Sequence, residues 1–320
     1  MSSNAPSAAY LVTGATGAQG GAVARELLKA GQRVHALVRD PSKRTAKELE
    51  ALGAVLFVGD FDSVDVIHRA AVGVKGIFLN PYPVLGDTSG EARQTQNFVD
   101  AARAAGTVES LVLTTAFNTA EHPKWVAEYP DYALRDYYTS KTAAEDAVRG
   151  SGVKYWTILR PPWLFQNYLW PQSDFHFPAL RTERRFVSGV RRDIRFAQLD
   201  GADVGSWAAA AFLDPPRFAG KELRLTAASL SFEDIVDEFE EFAGVKIERS
   251  FVEPADLLLG SDDPLGPARV AAAEWQNKGQ IDISADEFEE LKSYGIHLTS
   301  FREFLEKNRA AALATLKVDA

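Results

Sequence analysis

The chain has 320 residues, with 35 Lys and Arg against 44 Asp and Glu, a net charge of −9, and no cysteine. Disulfides, Cys-based zinc sites, iron–sulfur clusters and a thiol nucleophile are therefore excluded, and any redox chemistry has to be borrowed from a cofactor. The acidic balance offers no basic face for nucleic acid or anionic lipid. A length of 320 residues predicts either one elaborated domain or a large lobe with a smaller one rather than a single small core.

The opening MSSNAPSAAY lacks the charged-then-apolar order of a secretory leader, and no stretch approaches the roughly 18 apolar residues of a membrane span. A soluble cytoplasmic protein with no membrane partner and no direct nucleic-acid partner is expected. After the tail, short apolar runs at 8–14, 33–39, 54–60, 76–81, 110–116 and 154–161 alternate with helical patterns at 20–31, 42–52, 63–73, 90–105 and 137–150. Such alternation predicts stacked βαβ units, hence an α/β fold with a doubly wound parallel (Rossmann) sheet over residues 1–160. Its ligand crevice is expected beyond the carboxyl ends of the strands.

After residue 161 the rhythm becomes aromatic and proline-broken, with helices expected at 203–213, 231–243, 266–277, 285–293 and 298–312. Residues 161–320 therefore read mainly as a smaller lobe, expected to pack against the first and to bind substrate.

The first predicted strand runs into Gly14-Ala15-Thr16-Gly17-Ala18-Gln19-Gly20-Gly21 immediately before a helix. Glycines there permit a tight turn and close approach of a pyrophosphate, and the helix start aims free N–H groups at the anion. Gly14, Thr16, Gly17, Ala18, Gln19 and Gly20 are the expected cradle of a dinucleotide.

The end of the second strand discriminates between cofactors, because a carboxylate there would accept from a ribose 2′-OH whereas a guanidinium fits a 2′-phosphate. Arg39, followed by Lys43 and Arg44, favours NADP(H), while Asp40 keeps NAD(H) open. Asp60 and Phe61, closing the third strand, are candidates for the adenine, and Asn80, closing the fourth, for the path to the nicotinamide. Each could equally be a turn former.

Tyr137 and Lys141 are four residues apart at the start of the helix before the sixth strand and share one face. A phenol has a pKa near 10, and a neighbouring ammonium favours its phenolate, which suits Tyr137 to proton transfer. Lys141 could also hold the nicotinamide ribose. Thr115, at the end of the fifth strand, is the expected holder of the substrate oxygen, with Thr114 left open by strand alternation. Tyr138 competes with Tyr137, but the four-residue spacing favours the latter.

Directly after the sixth strand, residues 161–177 carry six aromatics, Trp163, Phe165, Tyr168, Trp170, Phe175 and Phe177. They could line a pocket for a flat apolar substrate, with Asn167 and His176 as polar contacts, or form a seam between lobes. The stretch from Phe117 to Asp136 reads as an irregular loop of lid or binding type. Neither His122 nor His176 is assigned to catalysis, and no residues stand at metal-ligand spacing.

These residues resemble the short-chain dehydrogenase/reductase superfamily, and more narrowly its atypical NmrA-like branch. The resemblance covers nearly the whole chain. It rests on VTGATGAQGG, on RDPSKRTAKELEALGAVLFVGDFDS, on YYTSKTAAEDAVRGSGVKYWTILRPPWLFQNY and on LTAASLSFEDIVDEFEEFAGV. It implies an extended Rossmann domain that binds NADP(H), with a small C-terminal substrate lobe.

The branch contains reductases directed at quinones or phenylpropanoids, and redox-sensing regulators without turnover, many of which lack the tyrosine. The presence of both Tyr137 and Lys141 favours chemistry, although Thr115 stands where the superfamily has a serine. The expected function is an NADP(H)-dependent oxidoreductase acting on a small aromatic or polyketide-like carbonyl or enone. The alternative is a sensor of NADPH status that signals to a protein partner. A third reading, a nucleotide-sugar epimerase or dehydratase with tightly held NAD, is opposed by Arg39. A homodimer is a further expectation.

Overall fold

The computed structural model describes residues 8–84, 87–132, 134–258, 266–278 and 282–318. The N-terminal tail over 1–7, where a leader was sought, lies outside the described residues.

In chain order, the first half comprises β1 (Ala9–Val12), α1 (Ala18–Lys29), β2 (Arg33–Val38), α2 (Arg44–Ala51), β3 (Val55–Val58) and α3 (Val64–Ala71). It continues through β4 (Gly76–Leu79), α4 (Gly90–Ala105), β5 (Ser110–Thr114), α5 (His122–Glu128), α6 (Arg135–Arg149) and β6 (Tyr155–Arg160). There follow β7 (Trp163–Leu164), α7 (Gln172–His176), α8 (Pro178–Glu183), β8 (Arg185–Ser188), β9 (Phe196–Leu199), α9 (Asp203–Leu213), α10 (Pro215–Phe218) and β10 (Lys221–Arg224). The remainder is β11 (Ala228–Leu230), α11 (Phe232–Ala243), β12 (Glu248–Phe251), α12 (Gly266–Gln276), α13 (Ala285–Ser293), α14 (Phe301–Lys307) and α15 (Arg309–Leu316).

One compact unit is formed by Met1–Glu128, Arg135–Arg160 and Ala202–Arg224, and the other by Tyr129–Leu134, Pro161–Gly201 and Leu225–Ala320. This division differs from a single cut at residue 160. The chain leaves the first unit at 129–134 and returns to it over 202–224.

The first unit is built on a seven-stranded sheet of order β10-β6-β5-β4-β1-β2-β3, parallel throughout. Every residue of β1, β4 and β5 is buried, as strands covered by helices on both faces must be. Strand order reverses between β1 and β4, which makes their carboxyl ends the topological switch point. The seventh strand, β10, has no counterpart in the sequence reading. It is short and follows the α9 helix, whose approach to α1 is so close that a Cβ on Gly205 would lie 2.5 Å from that of Ala22.

The second unit holds two small sheets, β11-β9-β7 and β12-β8, around an aromatic core that includes Phe165, Tyr168, Phe177, Phe232 and Phe301. Its helices announce themselves at their starts. Ser231 with Asp234, Ser284 with Glu287 and Ser300 with Glu303 each form a reciprocal capping box. The single helix expected over 298–312 is instead two, α14 and α15, because Asn308 leaves helical geometry at φ −112°. Among the described residues no helix is long and apolar enough to cross a membrane, and no three His, Cys, Asp or Glu gather to hold a metal ion.

Candidate functional site

The turn after β1 behaves as its glycines require. Gly14 adopts φ +58°, Gly17 caps α1 in extended geometry, and the Gly17 N–H donates to the Gly14 carbonyl at 2.9 Å. Gly20 admits no side chain, since a Cβ there would stand 2.3 Å from the Thr13 oxygen and 2.4 Å from that of Gly14. The turn is thus a backbone cradle folded against the helix start. Gln19, in the first turn of α1, has its Oε1 buried and without a hydrogen-bond partner among the described residues.

Three polar side chains tie the switch point together. Thr13 Oγ1 donates to the Phe78 carbonyl at 3.0 Å and accepts from the Asn80 N–H at 2.9 Å, while Thr114 Oγ1 donates to Asn80 Oδ1 at 3.1 Å. Asn80 Nδ2 lies 3.5 Å from where a Gly14 Cβ would be, so Asn80 borders the glycine turn directly.

At the end of β2, Arg39 is exposed and makes no ion pair among the described residues. Its neighbour Asp40 is occupied. Its Oδ1 accepts from the Ser42 N–H at 2.8 Å and hydroxyl at 2.6 Å, which with Lys43 and Lys47 nearby holds the carboxyl below its ordinary range. Asp40 is therefore a turn former, and Arg44 is paired with Glu48, whereas Arg39 and Lys43 make no ion pair among the described residues.

Asp60 likewise spends Oδ1 on its own turn, accepting from the Ser63 hydroxyl at 2.6 Å and the Asp62 N–H at 3.1 Å. The Phe61 ring meets Phe98 edge-on at 5.7 Å. The turn-forming role foreseen for this pair is present in the structure.

α6 brings Tyr137 and Lys141 together. Tyr137 is 37% exposed whereas Tyr138 is buried, its ring 5.4 Å from Trp125, so only the former presents its phenol. Lys141 Nζ stands 5.4 Å from the Tyr137 ring centroid, a cation–π arrangement. Its ammonium is not free, however. It donates to Glu91 Oε1 at 2.5 Å, a contact in which the two side chains are 6% and 0% exposed.

Sequence reasoning missed Glu91, although a signal was present. The buried face of α4 runs through Glu91, Gln94, Thr95, Phe98, Val99 and Ala102, so helical spacing puts a carboxylate at a core position.

Thr115 does not fill the role expected of it. Its hydroxyl donates to Glu145 Oε1 at 2.6 Å, inside a buried ionic cluster, and so is not offered to a substrate oxygen. In that cluster Arg160 donates to Glu145 Oε1 at 2.9 Å and Oε2 at 2.7 Å and also pairs with Glu222, while Arg149 reaches Glu145 and Glu222, each at 2.7 Å. Burial alone would push the Arg160 guanidinium down, but Glu145 and Glu222 more than offset it and hold it above its ordinary value.

The stretch 117–136 is not an irregular loop. It contains α5, and His122 Nε2 lies 3.1 Å from Thr139 Oγ1, while residues 129–134 belong to the second unit, where Tyr132 stacks on Trp275 at 4.7 Å.

The aromatic run after β6 divides. Phe165 and Tyr168 are fully buried core, and Trp170 and Phe175 are largely exposed. Trp163, Phe175, His176 and Phe177 border a cavity of about 500 Å³ within the second unit, together with Phe232, Arg185, Ser250 and Arg269. That volume suits a small organic ligand. Asn167, expected as a polar contact, is not among its lining residues.

Burial, and then the Arg269 charge, lower the His176 pKa to about 4. The unfolded chain takes up this proton near 6.5 and the native one near 4, so the stability conferred is complete above about pH 6.5. It is lost as the pH falls toward 4, by an amount of the order of 3 kcal/mol. His122, lowered by burial and by Arg135, acts in the same direction. Urea unfolding at pH 7 and pH 4.5 is expected to show a smaller loss for His176→Gln than for the wild type. Equal losses would mean that the imidazole is solvated.

The glycine turn at the switch point of a parallel sheet, with the tyrosine and lysine on α6, defines a dinucleotide-type α/β protein. A family model described as the NmrA-like family matches residues 7–305, and the chain belongs to that family. An NmrA-like family domain-containing oxidoreductase of Aspergillus japonicus is 27% identical over 249 residues, 73% of each chain. The Escherichia coli NADPH-dependent quinone oxidoreductase, solved with NADPH, shares the fold at TM-score 0.72 and 23% identity, over 94% of this chain and 99% of its own. NmrA, a negative transcriptional regulator solved with NADP, shares it at TM-score 0.73 and 20% identity over 94% of both.

Proposed function

We propose that the protein is an NADP(H)-dependent oxidoreductase that reduces a small aromatic or polyketide-like carbonyl or enone. The observation that carries this reading is the α6 pair, an accessible Tyr137 phenol one helical turn from a buried Lys141. A bound dihydronicotinamide supplies the hydride.

The chain's own residues do the rest. The turn through Gly14, Thr16, Gly17, Ala18, Gln19 and Gly20 would hold the pyrophosphate through those of its backbone N–H groups not already given to the turn itself, as the Gly17 N–H is to Gly14, and the orphaned Gln19 oxygen would accept from the same ligand. Arg39 and Lys43 take the 2′-phosphate. Asp60, through its remaining oxygen, and Phe61 flank the adenine, and Asn80 borders the nicotinamide path. Lys141 holds the ribose, and Tyr137 gives its proton to the substrate oxygen. With Thr115 committed to Glu145, Tyr137 is the one hydroxyl left to that oxygen among the catalytic candidates. The second unit is the substrate lobe on this reading, and the aromatic walls of its cavity support a flat, apolar substrate class.

The test is consumption of NADPH against a panel of quinones, enones and aromatic carbonyls. Turnover with NADPH well above that with NADH is expected, and Arg39→Asp should shrink that preference by about tenfold or more, since a bidentate guanidinium–phosphate pair is lost and a like charge gained. An Asp40 carboxylate tied into its own turn speaks against the epimerase reading with NAD.

The buried pairing of Lys141 with Glu91, and the loss of Thr115 from the site, favour a second reading. In it the protein binds NADP(H) and reports its occupancy to a protein partner. Tight NADPH binding with no turnover across the panel would select it.

A further inference from the structure

We propose that Glu91 is a positioning residue for Lys141, holding the ammonium in the place from which it binds the cofactor. The proposal rests on the reading of Lys141 as the ribose anchor given above.

Three observations carry it. Glu91 is completely buried, yet it lies on α4, a different element from the α6 helix that presents Lys141 and Tyr137. Its Oε1 receives the Lys141 ammonium at 2.5 Å. Its Oε2 is buried with no partner among the described residues, which a purely structural ion pair has no reason to tolerate.

The chemistry follows from the burial of both groups. A lysine side chain has four rotatable carbons, and its ammonium could occupy many positions along the helix face. One carboxylate oxygen on a neighbouring helix reduces these to one, 5.4 Å from the Tyr137 ring. Glu91 Oε1 takes one ammonium hydrogen and so fixes where the Lys141 nitrogen stands, and the remaining ammonium hydrogens are left to a ligand. The half-satisfied carboxylate is consistent with a group retained for placement rather than for stability.

The experiment is a double-mutant cycle read by NADPH fluorescence titration, which needs no substrate and no turnover. Glu91→Gln is expected to weaken NADPH binding about tenfold, in the range of couplings between directly contacting side chains. Lys141→Met should weaken it as well. The combined Glu91→Gln/Lys141→Met protein should bind no more weakly than Lys141→Met alone, because the carboxylate has nothing left to position. Glu91→Asp keeps the charge and should recover part of the affinity, which also covers the case in which the glutamine variant does not fold.

Unchanged NADPH affinity in a folded Glu91→Gln protein, or a full further loss in the Lys141→Met background, would overturn the proposal. Wild-type protein that binds no NADPH would instead overturn the cofactor reading beneath it.

Discussion

Tyr137→Phe is expected to lower turnover by about 10²- to 10⁴-fold, the usual contribution of a positioned acid or base, while leaving NADPH affinity within about twofold of the wild type. The substitution is unusually clean here. The ring stays, so its edge-on contact with Tyr138 at 5.0 Å and the Lys141 ammonium over its face are both kept. Tyr137 is among the more exposed large side chains, so no core packing is lost. Only the hydroxyl disappears. Steady-state kinetics with the best substrate of the panel, alongside an NADPH titration, separate the two effects. Turnover within a few-fold of the wild type would remove Tyr137 from the chemistry.

The second large effect is on stability. Glu145→Gln is expected to cost about 3–5 kcal/mol, because it takes the central carboxylate from a buried cluster and leaves the Arg160 guanidinium, 3% exposed, with Glu222 alone. Denaturant unfolding measures it. Replacing Arg160 as well, as Glu145→Gln/Arg160→Met, should cost less than the two single changes added together, since the orphaned charge is then gone. A single-variant loss below 1 kcal/mol would show the cluster to be solvated.

This cluster also bears on the site. α6 carries Lys141 and Glu145 one turn apart, and each is pinned by a buried opposite charge, Glu91 on α4 and Arg160 on β6. The helix that presents Tyr137 is thereby fixed from two sides.

Period and punctuation made much of the first unit legible. Six of its seven strands lie within the segments expected from alternating patterns, as do α2, α3 and α4, while α1 and α6 start two residues early and α5 falls in the stretch read as loop; a parallel strand buried on both faces has to be a short apolar run. The glycine turn could be read for a stronger reason. Its geometry is a backbone property: the Gly14 φ of +58° favours glycine, and the contacts that exclude a Cβ at Gly20 leave no other residue type there.

The second unit was read less well, since β7, β8, β9, β11 and β12 are two to four residues long and most of them mix polar with apolar residues, unlike the wholly apolar four-residue β1, β3 and β4. Strands so short without a continuous apolar run cannot be told from loop.

What the sequence determined by itself is therefore the βα alternation, the pyrophosphate-type turn, the cation at Arg39 and the shared face of Tyr137 and Lys141. All of these are local, set within one turn or one strand. What only the tertiary structure decided is which polar groups are already spent. Thr115 and Glu145 are 30 residues apart, and Lys141 and Glu91 are 50 apart. Whether a hydroxyl or an ammonium is free for a ligand depends on its partner across the fold, because a buried donor takes the nearest acceptor whatever its distance along the chain. Local spacing could name the tyrosine and the lysine. It could not reveal the glutamate that holds the lysine, or the one that removes Thr115 from the site.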